Sequence, residues 1–253
     1  MLMSDQNAVL TRLTVGLERM DIALSGDRIE AMVRYLSLLR RWNRAYNLTG
    51  VRTPLEMVPK HLLDSLSVLP YLYGDKLLDL GAGPGLPGIP LAIAAPERAF
   101  YLLDSNGKKV RFLRQAVMEL GLANAVVIQA RMEAYLPGQE FATIVSRAVA
   151  SAPDLLGLTA RLPARPVRLL AMQGKRPAGT ELQGLEPSPS TLRVHPLEVP
   201  FLDAERHLIE AHYDLEPIPN GSPMNYSSTA HRRFLGPIGV TSHGGRCFPL
   251  QPG

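Results

Sequence analysis

The chain has a single cysteine, Cys247, among its 253 residues. One thiol excludes an internal disulfide, and it disfavours a structural zinc site, which usually needs several thiolates. No run of about 18 consecutive apolar residues occurs, and the most apolar stretch, from Leu77 to Ala95, is interrupted by glycine and proline. We therefore expect no metal, no membrane segment and a reducing compartment.

The chain also lacks a strong charge of either sign. Its 27 Lys and Arg stand against 23 Asp and Glu, a formal net charge of +4. The first residues have neither a positively charged start before an apolar core nor a small-residue cleavage site, so they predict no secretory signal and a cytoplasmic protein. The 46% hydrophobic content is enough for the core of one large domain and excludes disorder along the whole length.

The chain divides into three sections that differ in composition and in the spacing of their apolar residues. Residues 1–60 show apolar residues at helical spacing and predict an N-terminal helical extension. Within it, the segment from Arg34 to His61 has six Lys and Arg against the single carboxylate of Glu56. Residues 61–213 predict the main domain. Residues 214–253 are rich in Pro and Gly without apolar periodicity, and we expect a poorly ordered tail.

The main domain alternates short apolar runs with helical patterns, which predicts βαβ units and a parallel sheet. The predicted strands are KLLDLG, FYLLDS, NAVVIQA, FATIVSRA and RPVRLLAMQG. A helix is predicted from Gly107 to Gly121, where the glycine supplies a stop. The runs TLRVHPLEVP and AERHLIEAHY are close enough in sequence to form a closing antiparallel pair.

The first strand leads directly into a glycine-rich turn. Gly81, Gly83 and Gly85 stand at every second position, so the backbone can turn sharply and approach a ligand. Asp79 precedes this turn, and Asp104 ends the next strand, where a carboxylate can accept hydrogen bonds from both hydroxyls of a ribose. A glycine turn alone could be only a tight turn, but together with Asp104 it predicts a cofactor that contains adenosine.

The cofactor could be a nicotinamide dinucleotide or S-adenosylmethionine. A dinucleotide presents its pyrophosphate to the amides of a helix N-terminus, but Pro84, Pro87 and Pro90 remove three N–H donors from this turn. S-adenosylmethionine has no phosphate, so the missing donors cost it nothing. It fits the sequence better.

Several segments in order carry a family resemblance: RWNRAYNLTGVR, KHLLDSL, LLDLGAGPGLPGIPLAI, LLDSNGKKVRFL, ARMEAY and IVSRA. They resemble the bacterial 16S rRNA guanine-N7 methyltransferases, the glucose-inhibited division protein B family, over about Ser37 to Arg206. The resemblance implies a class I S-adenosylmethionine-dependent methyltransferase fold: a Rossmann-like α/β domain with a mostly parallel, seven-stranded sheet and an N-terminal helical extension. It also implies S-adenosylmethionine as methyl donor and 16S rRNA, or a small ribosomal subunit or its precursor, as partner. We expect a monomer.

Candidate residues follow from both lines of reasoning. The resemblance places cofactor contacts on Gly81, Leu86, Met132, Glu133 and Arg147, and the residues themselves add Gly83, Gly85 and Asp104. Candidate RNA contacts are Asn47, His61, Asp64 and Arg147, together with the cations Arg40, Arg41, Arg44, Lys108 and Lys109. No residue is assigned as a catalytic acid or base.

The sequence also departs from the family pattern. Gln173 stands where a Lys is usual, although Lys175 follows closely, and Ala142 stands where Asp is common. Two alternatives stay open at this point: a small-molecule methyltransferase of the same fold, and an RNA-binding ribosome assembly factor.

Overall fold

The computed structural model describes residues 3–135, 139–147, 154–156, 167–178, 182 and 188–213. The expected tail, residues 214–253, lies outside these ranges. Within them, no helix is both long enough and apolar enough to cross a membrane.

The N-terminal section is helical, as expected. Its elements are α1 (Met3–Arg19), α2 (Gly26–Tyr46), α3 (Pro54–Met57), a π-helix (Val58–Leu63), α4 (Asp64–Leu66) and a 3₁₀ turn (Leu69–Tyr71). Asn47 ends α2 in the left-handed region, with φ 49°. The side chain of Thr53 caps α3 by accepting a hydrogen bond from the backbone of Glu56.

A seven-stranded sheet follows. Its strands are β1 (Lys76–Leu80), β2 (Ala99–Asp104), β3 (Ala125–Gln129), β4 (Thr143–Arg147), β5 (Val167–Gln173), β6 (Thr191–Pro196) and β7 (His207–Tyr213). Their order across the sheet is β3-β2-β1-β4-β5-β7-β6. The first five strands pair in parallel, whereas β7 runs antiparallel to both β5 and β6. The expected closing antiparallel pair is present.

Two helices connect the first three strands: α5 (Gly88–Ala94) and α6 (Gly107–Leu120). The side chain of Asn106 caps α6 by accepting from the backbone N–H groups of Lys108 and Lys109. Gly121 ends α6 with φ 66°, a conformation that glycine adopts without strain. The helix predicted from the sequence is confirmed within one residue.

Successive apolar side chains along a strand belong to two different hydrophobic clusters, one on each face of the sheet. Leu77 of β1 lies in the cluster that contains the buried side chains of α1, α2, α5 and α6, and its neighbour Leu78 lies in the other. The N-terminal helices thus share one core with the sheet. The boundary expected between residues 60 and 61 falls inside the π-helix.

Strand β1 lies at the centre of the parallel part, with β2 on one side and β4 on the other. In sequence, β1 is followed by β2 on one side of it, whereas β4 is followed by β5 on the other, so the strand order reverses between β1 and β4. In an open α/β sheet, such a reversal opens a crevice beyond the carboxyl ends of the strands. The fold thus predicts a ligand site at the end of β1, where the glycine turn begins.

Candidate cofactor and substrate site

The turn after β1 is held by backbone hydrogen bonds. The N–H of Ala82 donates to the carbonyl of Leu103 at 2.9 Å, and the N–H of Leu86 donates back to the carbonyl of Ala82 at 2.9 Å. The Tyr35 hydroxyl of α2 donates to the carbonyl of Pro84 at 2.7 Å. The turn is fixed from the sheet side and from the helical section, so its outer surface is preformed.

The two acidic residues near the turn have different environments. Asp104 accepts from the backbone N–H of Gly83 at 2.9 Å and from that of Asn106 at 2.7 Å, one bond to each carboxylate oxygen. Its oxygens keep further lone pairs, and the residue lines the cavity described below. Asp79 lies behind the turn, where Oδ2 accepts from Gly88 N–H at 2.8 Å and Oδ1 has no partner. Burial raises the pKa of Asp79 to about 7.

A cavity of about 670 Å³ opens beside this turn. Most of the predicted cofactor residues line it: Gly81, Gly83, Leu86, Asp104, Met132, Glu133 and Arg147. Gly85 is the exception, because its α-carbon faces Ile89 and Leu113 in the protein interior. Gly85 therefore shapes the turn, with φ 92°, rather than a ligand surface.

Another part of the cavity wall comes from the segment after β3. Met132 and Glu133 form a 3₁₀ turn there, Met132–Ala134, and Met132 packs against the second hydrophobic cluster. One apolar and one carboxylate side chain thus face the same cavity as Asp104. This mixture suits the flat, polar-edged ring of an adenine.

A buried carboxylate joins two arginines in the wall of the cavity. Asp64 is 2% exposed, and its Oδ2 accepts from Arg147 Nη1 at 2.8 Å while Oδ1 accepts from Arg206 Nε at 2.8 Å. Arg147 also donates to the carbonyl of Lys60 at 3.0 Å. All three charged side chains line the cavity. The carboxylate fixes two guanidinium groups whose other N–H donors remain available to a substrate.

His61 does not line the cavity. Its Nε2 lies 2.9 Å from Thr49 Oγ1 and its Nδ1 lies 2.9 Å from the carbonyl of Lys60, so both ring nitrogens have partners inside the protein. Asn43 of α2 completes this chain by accepting from the backbone N–H of Thr49 at 2.8 Å. Burial first, and then the charge of Arg147, lower the pKa of His61 to about 4. Through Thr49, the neutral ring therefore links α2 to the π-helix, which directly precedes Asp64.

The remaining predicted RNA contacts lie on the surface. Asn47 is exposed at the end of α2, where it terminates the helix. Arg40 lies 3.9 Å from the carboxylate of Asp5, and Arg41 lies 2.8 Å from that of Glu119. Lys109 lines the cavity and lies 3.8 Å from Asp104.

Three exposed cations follow α6 away from the cavity at three-residue spacing. We call them the α6 basic stripe: Lys108, Arg111 and Arg114. Among the described residues, no carboxylate lies within ion-pair distance of any of the three, unlike Arg40 and Arg41. The stripe begins next to Asn106, which also lines the cavity, so it leads from the cavity rim across the surface.

Sequence reasoning missed Arg206 as a site residue, although the predicted antiparallel pair contained a signal for it. Because β7 runs against β5, its first residues lie at the carboxyl end of β5, beside the cavity. Any polar residue just before β7 was therefore a candidate. In the described part of the chain, no group of three His, Cys, Asp or Glu side chains could hold a metal ion.

Sequence comparisons agree with this geometry. The family model for GidB, described as rRNA small subunit methyltransferase G, matches residues 28–209. The ribosomal RNA small subunit methyltransferase G of Methylococcus capsulatus is 49% identical over 195 residues, which cover 77% of this chain and 94% of the relative. The protein of the same name from a Marinomonas species is 47% identical over 194 residues, covering 77% and 93%.

Solved structures show the fold. Magnesium protoporphyrin IX methyltransferase from Synechocystis, with bound S-adenosylmethionine, has a TM-score of 0.53 and 17% identity over 76% of this chain and 99% of its own. The chain thus has the class I S-adenosylmethionine-dependent methyltransferase fold. With the family match across most of its length, and with relatives nearly half identical over almost their whole length, the chain belongs to the rRNA small subunit methyltransferase G family.

Proposed function

We propose that this protein transfers a methyl group from S-adenosylmethionine to N7 of a guanine in 16S ribosomal RNA. One observation carries the proposal: the family match over residues 28–209 contains every residue that lines the cavity, from Asp64 to Arg206. The match therefore covers the site itself as well as the fold that surrounds it.

The cavity wall suits the methyl donor. Asp104 offers acceptors to a ribose, Met132 and Glu133 offer an apolar surface and a carboxylate to an adenine, and the Gly81–Gly83 backbone leaves room for close approach. A β-carbon on Gly83 would meet nothing nearer than 3.8 Å, the carbonyl oxygen of Gly81, so the surface beyond Gly83 is open for a ligand. When bound, S-adenosylmethionine supplies an electrophilic methyl group on a sulfonium.

The reaction needs no base from the protein. Guanine N7 carries an in-plane lone pair that is unprotonated at neutral pH. As this pair forms the new C–N bond, the C–S bond electrons return to sulfur, and the positive charge moves to the purine. Asp64 is held by two arginines and is not a free base. The protein contributes by holding the two reactants in line, an effect worth several kcal/mol of the barrier, about 7–11 in well-oriented systems.

Substrate binding falls to the cations. Arg147 and Arg206 are fixed beside the cavity and present planar donor groups to a base or phosphate there. The α6 basic stripe has no carboxylate partner among the described residues and leads away from the rim, so it suits the phosphates of an RNA strand. Arg40 and Arg41 have carboxylate neighbours, and we assign them a smaller part than the sequence alone suggested.

A direct test uses the purified full chain and S-adenosylmethionine with a labelled methyl group. Naked 16S rRNA, isolated small subunits and a panel of small metabolites are offered in parallel. We expect label in rRNA, recovered as N7-methylguanosine, and none in the metabolites. Label in a metabolite but not in rRNA would favour the small-molecule alternative. Absence of S-adenosylmethionine binding would favour the assembly factor.

A further inference from the structure

Three aromatic rings run from the core to the surface at the end of α2. Phe112 of α6 is fully buried, Trp42 is half-buried, and Tyr46 is 39% exposed. The Trp42 and Phe112 ring centroids lie 5.7 Å apart in an edge contact. Those of Trp42 and Tyr46 lie 5.2 Å apart with 28° between the ring planes, a stacked contact. The outer two rings, Trp42 and Tyr46, thus form a stacked pair, and the buried Phe112 packs against the inner of them.

This pair, Trp42 and Tyr46, is called the ring ledge. Asn47 ends α2 directly after Tyr46 by turning the backbone into the left-handed region. The chain therefore leaves the helix axis at this point, and Tyr46 stays 39% exposed. Among the described residues, Tyr46 and Tyr73 are the two exposed aromatic side chains.

The ring ledge is physically connected to the cavity in two ways. Phe112, on which Trp42 rests, follows the cavity residue Lys109 by three positions on α6, an axial rise of about 4.5 Å. On α2, Asn43 follows Trp42 and holds Thr49, which contacts His61 of the π-helix. The ledge thus packs on α6, whose first turn lines the cavity, and it is linked through Asn43 and Thr49 to the π-helix that precedes Asp64.

The charge around the ring ledge is positive. Arg41 and Arg44 are exposed on the last turns of α2. Arg41 is paired with Glu119 at 2.8 Å, whereas no carboxylate in the described residues pairs with Arg44. The segment from Arg34 to His61 has six cations and one carboxylate. A flat exposed ring in a positive field suits a flat partner on an anionic backbone, which describes an unpaired base of a single-stranded RNA.

We infer that the ring ledge stacks an unpaired base of the RNA strand whose guanine enters the cavity. The inference rests on the proposed function and adds the place where the strand is gripped outside the cavity. Stacking of one base on an aromatic side chain changes affinity by about 10-fold, within a wide range. Because every base has a π-face, the ledge would hold a neighbouring nucleotide without selecting its identity.

The test exploits the fact that Trp42 is the only tryptophan of the chain. A single-stranded RNA oligomer is titrated against the wild-type protein while Trp42 emission is followed. An abasic oligomer of the same length and charge serves as control. We expect saturable quenching by the RNA and little by the abasic oligomer, since only a stacked base meets the rings.

Variants separate stacking from electrostatics. Tyr46→Leu should weaken binding of naked rRNA about 10-fold, raise its KM in methyl transfer and leave S-adenosylmethionine affinity unchanged, whereas Tyr46→Phe should behave as wild type. Tyr73→Leu is the matched control, because Tyr73 is also an exposed ring, at 55%, but lies beneath the Arg168 guanidinium. It should bind rRNA as the wild type does.

Three outcomes would overturn the inference. Equal quenching by the abasic oligomer would reduce the ring ledge to a bystander of phosphate binding. Unchanged rRNA affinity in Tyr46→Leu, with wild-type methyl transfer intact, would refute the ledge and leave the proposed function standing. A Tyr46→Leu defect on small subunits but not on naked rRNA would assign the ledge to a ribosomal protein. Failure of the wild type to methylate rRNA would instead refute the proposed function.

Discussion

Asp104→Asn is the substitution that bears most directly on the cofactor assignment. The carboxylate accepts one backbone N–H on each oxygen, from Gly83 and from Asn106. An amide has one acceptor oxygen and one donor nitrogen, so it can satisfy only one of these two N–H groups. The other N–H faces a donor, and the ribose loses a charged acceptor at the same time.

The size of the effect follows from these bonds. A hydrogen bond to a charged group is worth about 1.5–3 kcal/mol, so losing the carboxylate from the ribose side should weaken S-adenosylmethionine about 10- to 150-fold. The N–H left without a partner should cost folding stability about 1–3 kcal/mol as well.

Asp79→Asn supplies the matched control. Asp79 accepts only one hydrogen bond, from Gly88, and an amide oxygen can keep it. Burial raises the pKa of Asp79 to about 7 from its usual 3.8. The folded state therefore holds the proton in a range where the unfolded chain releases it. Asp79 therefore lowers the free energy of unfolding of the wild type. This loss is absent below about pH 4 and complete above about pH 7, where it reaches at most about 4 kcal/mol.

The assay is calorimetric titration of each variant with S-adenosylmethionine at pH 8, with urea unfolding in parallel. Asp104→Asn should lose affinity and stability. Asp79→Asn should keep its affinity, and its stability relative to wild type should rise between pH 4 and pH 7. Equal, small losses in affinity for both variants would refute the ribose assignment. A pH-independent stability difference for Asp79→Asn would refute the buried-carboxylate argument.

Further predictions concern the loop, the π-helix, the basic stripe and the tail. Gly88→Ala should abolish S-adenosylmethionine binding, because its β-carbon would lie 2.3 Å from Leu102 and 2.5 Å from the Asp79 carboxylate, whereas Gly26→Ala, with nothing within 4 Å, should bind normally. An NMR titration should show the pKa of His61 lowered to about 4. The free energy of unfolding should fall as the pH drops from about 6.5 toward 4, because in this range the unfolded chain binds a proton that the folded His61 excludes. A ring that titrates near 6.5 would contradict its burial. Replacing the three cations of the α6 basic stripe by Gln should make RNA affinity less dependent on salt: the slope of log affinity against log salt concentration should become shallower by roughly 0.7 per phosphate contact. An unchanged slope would exclude the stripe from RNA binding. Removing residues 214–253, which lie beyond the family match, should leave S-adenosylmethionine affinity intact, and a loss would show that the domain needs them.

Local signals were sufficient for much of the fold. The glycine turn, the acidic strand end at Asp104 and the stop at Gly121 each depend on the chemistry of one or two residues, so a single sequence displays them. The closing pair β6 and β7 follows from a short connection between two apolar runs. These features need no long-range information.

The π-helix and the Asp64 cluster could not be predicted in the same way. Six residues, Val58–Leu63, are too few for a distinct periodicity. Sequence reasoning assigned His61 and Asp64 the same predicted role as RNA contacts, whereas their side chains bond to different partners. Arg206 reaches Asp64 across 142 positions of sequence. Such a contact is decided by the packing of the whole sheet.

The central claim is the identity of the methylated atom, and mapping N7-methylguanosine tests it most directly. Small-subunit rRNA is prepared from cells that make the protein, from cells that lack it, and from the latter supplied with the wild-type chain or with Gly88→Ala. The account predicts one guanine whose N7 methyl group disappears without the protein and returns only with the wild-type chain. Identical N7-methylguanosine maps with and without the protein would contradict it.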